Sequence, residues 1–200
     1  HIILGFHRFE GPTPKNTIVV QSEQPGSKWM TKEYILRLMS VDKVWDFSQK
    51  NCTFLKKHGV NSYYVPTRVP MNVFINNNPT ADSADSANTT DSVTNAPGSM
   101  DVLFYRAIHE RRESVERDLK RRGLNVVFRY NNLYEHERDQ LIDRAKIILD
   151  IHYWSESSLE THRVEYLCSK GKCVISERSS DKRLDNIYRN SIVFCEMTKL

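Results

Sequence analysis

Short apolar runs alternate with stretches that carry apolar residues at helical spacing, from the start of the chain onward. In the first third, four such runs predict buried strands, at His1–Phe6, Thr17–Gln21, Val44–Phe47 and Ser62–Val65. Between them the spacing predicts two helices, one that Thr31 caps and one that begins after Ser48 and ends at Gly59. Strands that alternate with helices are typical of a parallel α/β sheet.

The same alternation restarts after residue 100. The apolar runs predict strands at Asp101–Tyr105, Asn125–Tyr130, Ile147–Asp150, Cys173–Glu177 and Ser191–Cys195. The intervening periodicity predicts helices at Ile108–Arg122, Tyr134–Arg144 and Leu159–Ser169, the last with Ser157 and Ser158 as capping candidates. This second segment therefore predicts a Rossmann-like parallel sheet.

Residues 76–100 separate the two segments and consist mainly of Asn, Ser, Thr, Asp and Ala. Such a stretch cannot bury enough apolar surface to order itself, so it predicts a disordered linker. We therefore expect an N-terminal Rossmann-like domain at 1–75, the linker at 76–100 and a C-terminal Rossmann-like domain at 101–200. Because the first domain has few strand–helix units, we expect it to be incomplete, with further strands upstream.

The net charge of +4 is modestly positive, and the linker contributes none of the positive charge because it contains no Lys or Arg. This charge suits a phosphate-bearing ligand better than a nucleic-acid groove. No apolar run reaches the roughly 20 residues of a membrane span. The four cysteines lack the C-x-x-C spacing of a metal site, and Cys168 and Cys173 fall on positions predicted to be buried. We therefore expect free thiols and a cytoplasmic protein.

Two groups of polar residues follow predicted strands of the second segment, where parallel sheets bind their ligands. The first contains Arg106, His109, Arg111 and Arg112, and arginines at a strand-to-helix turn can clamp a diphosphate. The alternative is that they pair with glutamates on a solvated helix face. The second group contains His152, Tyr153, Glu160, Arg163 and Glu177. Here the alternatives are a core histidine and a simple Glu160–Arg163 ion pair.

Two carboxylates follow predicted strands of the first segment. Glu23 comes after Thr17–Gln21, and Asp46 lies at the end of Val44–Phe47. A carboxylate at such a position can act as a general base. The alternative is a hydrogen-bonding role at the end of a strand. We expect no bound metal, because the sequence contains no cluster of His, Cys and Asp with metal-ligand spacing.

Four stretches resemble successive motifs of a GT-B-like glycosyltransferase family, near the family-1-type and spore-coat glycosyltransferase-like proteins of bacteria and large viruses. They are ILRLMSVDKVWDFSQKN, DVLFYRAIHERR, ERDQLIDRAKIILDIHYW and RVEYLCSKGKCVISE. The resemblance covers most of the chain outside the linker. It implies two Rossmann-like domains that face a cleft, with the donor in the C-terminal domain and the acceptor in the N-terminal one.

The resemblance also implies a function and a set of site residues. We expect a metal-independent glycosyltransferase without a cofactor, which moves a hexosyl or pentosyl group from a UDP- or GDP-linked sugar to a glycan or protein-linked acceptor. The residues expected at the donor are Arg111, Arg112, His152, Tyr153, Glu160, Arg163 and Glu177. Glu23 or Asp46 is expected to be the catalytic base. We expect no nucleic-acid partner, and the sequence leaves the oligomeric state open.

Three departures from the family pattern favour an alternative function. Arg106 stands where the family has Gly, Asp150 stands where it has Asn, and Cys168 interrupts the Glu-x7-Glu motif that would begin at Glu160. The alternative is a non-catalytic binding or scaffold module with the same fold. A basic nucleic-acid-binding module is a third hypothesis, which the lack of interleaved aromatic residues in the basic helix disfavours.

Overall fold

The computed structural model describes residues 1–67, 99–131, 133–154 and 156–196. These residues form an α/β protein with two separate sheets, nine strands and six α-helices. All strand pairs in both sheets are parallel, as the alternation predicts. The predicted linker at 76–100 lies outside the described residues except for its last two positions. Parallel strands that alternate with helices give both sheets a Rossmann-like topology.

The first sheet has four strands in the order β1-β2-β3-β4. They are β1 (Ile2–Leu4), β2 (Ile18–Gln21), β3 (Lys43–Asp46) and β4 (Ser62–Tyr64). The predicted strand His1–Phe6 is too long: β1 ends at Leu4, and Phe6–Arg8 forms a turn of 3₁₀-helix. Gly5 separates the two with a left-handed φ of 65°, a conformation that glycine adopts without strain.

Two helices follow β2 and β3, and both begin at the predicted caps. Helix α1 (Lys32–Met39) starts after Thr31, and helix α2 (Gln49–Lys57) starts after Ser48. Each hydroxyl accepts a backbone N–H three residues on, at 3.2 Å in both cases. The inner faces of the helices cover the sheet in a core of fully buried side chains that includes Val19, Leu38, Val44 and Leu55.

The second sheet has five strands in the order β6-β5-β7-β8-β9. They are β5 (Met100–Arg106), β6 (Val126–Tyr130), β7 (Ala145–Asp150), β8 (Cys173–Glu177) and β9 (Val193–Cys195). The connection from β5 leads to β6 on one side of it, and the connections to β7, β8 and β9 lead to the other side. Right-handed crossovers therefore place helices on both faces of this sheet. The direction changes between β5 and β7, which makes this point the topological switch of the sheet.

Four further helices are α3 (Glu110–Arg121), α4 (Glu135–Arg144), α5 (Thr161–Ser169) and α6 (Lys182–Tyr188). Val115 and Leu119 of α3 pack against Phe104 and Leu149 on one face of the second sheet. Helix α5 begins two residues later than the predicted Leu159. Helix α6 was not predicted from the sequence, because only two turns of it are formed and its apolar positions are few.

By their contacts the described residues form two compact units. The first unit contains residues up to 67 together with 154–161 and 179–187, and the second contains the rest. The two late segments of the first unit lie inside the predicted C-terminal domain of 101–200, so the contact boundary differs from the predicted one. The prediction that Cys173 is buried is wrong: it lies at the exposed start of β8, and all four cysteines are free. No helix in the described part of the chain is long and apolar enough to cross a membrane.

Truncation of a core leucine is expected to destabilise the first unit. Leu38→Ala removes a side chain that is 0% exposed, so the expected loss in the free energy of unfolding is about 2–5 kcal/mol. Leu36→Ala, on the same helix but 63% exposed, is the matched control and is expected to change it by less than about 0.5 kcal/mol. Tryptophan fluorescence during urea denaturation measures both, because Trp29, Trp45 and Trp154 all belong to the first unit. Equal losses in the two variants would contradict the packing described.

Candidate functional site

The candidate site lies at the carboxyl edge of the second sheet, at its topological switch. Strands β5 and β7 are neighbours there, and their chain connections lead in opposite directions. Open α/β sheets bind ligands in the crevice at such a point. The polar residues predicted at the ends of β7 and β8 therefore come together at one edge.

Glu177, at the end of β8, joins two of the predicted residues. One carboxylate oxygen forms an ion pair with the Arg111 guanidinium, and the other accepts the backbone N–H of His152 at 2.8 Å. Glu177 is buried, whereas 43% of the Arg111 side chain is exposed. Glu177 therefore holds α3 and the residues after β7 in fixed positions, and Arg111 remains accessible to a ligand.

His152, whose backbone N–H donates to Glu177, is 1% exposed. Neither of its ring nitrogens has a hydrogen-bond partner among the described residues. Buried polar groups without partners are uncommon in native proteins, and each one needs a physical reason. An imidazole ring can donate one hydrogen bond and accept another, so this ring keeps hydrogen-bonding capacity that the described residues do not use.

Arg163, expected at the donor, forms a buried ion pair with Asp150. Asp150 also accepts a hydrogen bond from the Ser176 hydroxyl at 3.2 Å. Burial alone would raise the pKa of Asp150, but the positive charge of Arg163 lowers it below its usual range. Arg163 further donates to the Leu149 carbonyl at 3.0 Å and lies over the Tyr105 ring at 4.5 Å. The Asp150 charge is therefore compensated within the protein.

Arg112 is also buried, at 1% exposure, although the sequence predicts it at a diphosphate. Its guanidinium donates to the Ile151 carbonyl at 3.1 and 2.6 Å and to the Ala107 carbonyl at 2.6 Å. It also lies over the rings of Phe104 and Tyr153, at 5.1 and 5.3 Å. These contacts connect the residues after β5 to the residues after β7, so the buried Arg112 stabilises the carboxyl edge of the sheet.

The remaining two donor-side residues lie at different places. Tyr153 is 37% exposed and contacts the His109 ring edge-on at 4.8 Å, so it belongs to the same edge as Arg111. Glu160 is half-buried directly before α5, and its contacts assign it to the first unit. The second unit thus brings together Arg111, His152, Tyr153 and Glu177, and the buried Arg112 and Arg163 bond to residues at the end of β7.

In the first unit, Glu23 has a partner that the sequence did not predict. Its carboxylate lies 3.4 Å from Nδ1 of His7 and accepts the Ser27 hydroxyl at 2.7 Å. His7 comes from the 3₁₀ turn after β1, and the side chains of His7 and Glu23 are 13% and 18% exposed. A carboxylate that holds a histidine ring is an arrangement suited to proton transfer. Sequence spacing could not find it, because the two residues follow different strands.

Asp46, the other predicted base, is 1% exposed at the end of β3. Its Oδ1 accepts the Ser48 backbone N–H at 2.8 Å and the Asn51 side-chain amide at 3.3 Å. Its Oδ2 and the Asn51 side-chain oxygen have no partner among the described residues. Burial raises the pKa of Asp46 to about 7, with a smaller contribution from the Asp181 carboxylate, which accepts the Ser48 hydroxyl at 2.7 Å. Asp46 is thus a buried acid that holds its proton up to about pH 7.

The described part of the chain contains no group of three or more His, Cys, Asp or Glu side chains that could hold a metal ion. No model of a known protein family matches the chain, and no curated protein matches it. The contacts of the site are therefore the basis for the function proposed below.

Removal of one partner of the Arg163–Asp150 pair is expected to destabilise the second unit strongly. Arg163→Met leaves Asp150 as an uncompensated buried charge, with an expected loss of about 3–5 kcal/mol in the free energy of unfolding. The double variant Arg163→Met with Asp150→Asn is expected to recover most of that loss, because no buried charge remains. Circular dichroism during urea denaturation measures both variants. If the double variant were no more stable than the single one, the pair would not be the source of the effect.

Asp46→Asn is expected to change how stability depends on pH. The folded state keeps the Asp46 proton up to about pH 7, whereas an unfolded carboxyl group loses it near pH ~4. The contribution of Asp46 to stability therefore falls as the pH rises through this window, by about 1.4 kcal/mol per pH unit. Relative to the wild type, the amide variant should gain stability from pH 4 to pH 7 and level off above. A difference that stays constant with pH, measured by tryptophan fluorescence, would show that Asp46 titrates normally.

Proposed function

We propose that the chain is a glycosyltransferase that moves a hexosyl or pentosyl group from a nucleotide-diphosphate sugar to a glycan or protein-linked acceptor. The observation that carries the proposal is the buried His152 ring without a partner, adjacent to the Arg111–Glu177 pair at the switch of the second sheet. An accessible guanidinium beside a buried imidazole suits the diphosphate of such a donor. The resemblance of the four motifs to GT-B-like glycosyltransferases supports the reaction class.

In the proposed reaction the acceptor oxygen forms a bond to the anomeric carbon while the bond from that carbon to the diphosphate oxygen breaks. The nucleotide diphosphate, UDP or GDP, leaves with the bonding electron pair. Arg111 and an N–H of His152 stabilise the negative charge that develops on it, without a bound metal. The acceptor hydroxyl loses its proton to a general base. Of the two predicted bases, Glu23 is the better candidate, because Asp46 keeps its proton up to about pH 7 and a protonated carboxyl group cannot act as a base.

A non-catalytic scaffold with the same fold is the second candidate. It is favoured by the use of Arg112 and Arg163 inside the protein, since their guanidinium groups bind the Ile151 carbonyl and the Asp150 carboxylate. Arg111 is then the accessible guanidinium among the three arginines predicted at the donor. The two candidates differ in one measurable property, which is the binding of a nucleotide diphosphate.

Nucleotide diphosphates are expected to raise the melting temperature of the chain in the presence of EDTA. A ligand at about 100 times its dissociation constant adds about 2.7 kcal/mol to the stability of the state it binds. A thermal-shift titration with UDP, GDP, CMP and their sugar conjugates should show a selective shift for one diphosphate. Arg111→Gln should abolish it, and Arg117→Gln, an exposed arginine on the same helix, should preserve it.

Two outcomes would contradict the proposal. If no nucleotide shifted the melting temperature of the folded chain, the scaffold would be the better account. If Arg117→Gln reduced the shift as much as Arg111→Gln, the binding would reflect the general charge of α3 and not the site.

A further inference from the structure

A pocket of about 310 Å³ opens beyond the carboxyl ends of β5 and β6 in the second unit. It lies on the other side of β5 from the switch point, because β6 and β7 flank β5 on opposite sides. The residues that define its chemistry are Tyr105, Arg106, Arg129, Asn131, Tyr134 and Arg138. Arg106, which the sequence grouped with the arginines that can clamp a diphosphate, is one of them. None of the other residues predicted at the donor or as the catalytic base lines the pocket.

The pocket wall is strongly basic. Three arginines line it, and no Asp or Glu is among the described lining residues. Arg138 pairs with its neighbour Asp139 at 2.9 Å, and the charge of Arg106 acts on the buried Asp150 carboxylate. Arg129 is exposed, and its side chain forms no ion pair or hydrogen bond with any residue that the structure describes. The wall therefore carries an excess of positive charge that an anionic group would balance.

The backbone around the pocket adds unsatisfied donors. Helix α4 begins beside it at Glu135, and the side chain of its N-cap residue Tyr134 forms no capping hydrogen bond. The first N–H groups of the helix and the helix dipole favour an anion. Glu135, at the start of α4, has a positive φ angle of 40°, which residues with a long side chain rarely adopt. Such strain is concentrated at ligand sites in proteins. The carboxylates of Glu135 and Glu137 are exposed and outside the lining.

The pocket also offers aromatic surface. The Tyr134 side chain is 69% exposed at the start of α4, and Tyr105 lies deeper with Arg163 over its ring at 4.5 Å. An exposed tyrosine ring provides a flat apolar face with a polar end, and this combination suits a planar base or the apolar face of a sugar. A ligand that fits should therefore carry a ring as well as an anionic group.

We propose that this pocket binds a small ring-bearing phosphate monoester, a nucleoside monophosphate or a sugar phosphate. A terminal phosphate carries a charge of nearly −2 at neutral pH, and it offers three acceptor oxygens to the guanidinium groups and the helix N–H groups. A carboxylate has one charge and two oxygens, so it leaves more of the wall unbalanced. The proposal does not rest on the glycosyltransferase function, because the pocket and the switch-point cluster use different residues.

The test is isothermal titration of the full chain at fixed ionic strength. The probes are inorganic phosphate, UMP, glucose 6-phosphate and glucuronate. We expect either UMP or glucose 6-phosphate to bind most tightly, and the tighter ester shows whether the ligand is a nucleoside monophosphate or a sugar phosphate. Glucuronate should bind at least about tenfold more weakly than that ester. Affinity should fall below pH ~6, where the phosphate gains a proton. Arg129→Gln should weaken the ester by about tenfold, and Arg117→Gln should not change it.

A comparison of two variants separates this site from the proposed donor site. Arg129→Gln should leave the binding of UDP and GDP unchanged, and Arg111→Gln should leave the binding of the ester unchanged. If each variant abolished both kinds of binding, one site would serve both ligands and the separate pocket would be excluded. Equal affinity for glucuronate and the esters, or equal loss in Arg117→Gln and Arg129→Gln, would also overturn the proposal. Loss of diphosphate binding alone would affect the proposed function and not this pocket.

Discussion

A single buried carboxylate fixes the geometry of the candidate site. Glu177 cannot be buried as a charge without partners, because the desolvation of an isolated carboxylate is very costly. Its two oxygens meet this need with two different elements, the Arg111 guanidinium of α3 and the His152 backbone N–H after β7. The end of β8 is thereby linked to α3, which follows β5, and to the residues that follow β7. The position of the His152 ring follows from this link, since its own backbone is held by it.

A fully buried pair, between Arg163 and Asp150 at the end of β7, has a different consequence. Arg163 neutralises Asp150, and Arg112 is occupied by backbone carbonyls. Two of the three arginines predicted at a donor therefore stabilise the edge, and Arg111 faces outward from it. This division of roles fits an enzyme whose supporting residues are rigid, and it also fits a scaffold that has kept only the support. The charge at the edge does not distinguish an enzyme from a scaffold, whereas the His152 ring without a hydrogen-bond partner favours a bound ligand.

Local features of the sequence predicted the structure well, and contacts between distant residues were not predictable. The caps Thr31 and Ser48 are confirmed, because each forms its hydrogen bond only three residues away. Strand Cys173–Glu177 is also confirmed, since a short apolar run between turn signals is a local pattern. The pairing of Arg163 with Asp150, and of His7 with Glu23, depends on how separate elements pack. The sequence placed these residues near strand ends but could not show which of their charges are already used.

The most direct test of the central claim is amide chemical-shift mapping of the labelled chain with UDP and with GDP. The site described here predicts shifts that saturate with one nucleotide and cluster at residues 109–112, 150–153 and 176–178. Those segments carry Arg111, His152 and Glu177, and they meet at one edge of the second sheet. Saturating nucleotide that moved no signal in these segments, or that moved signals only elsewhere, would show that this edge is not a nucleotide-diphosphate site.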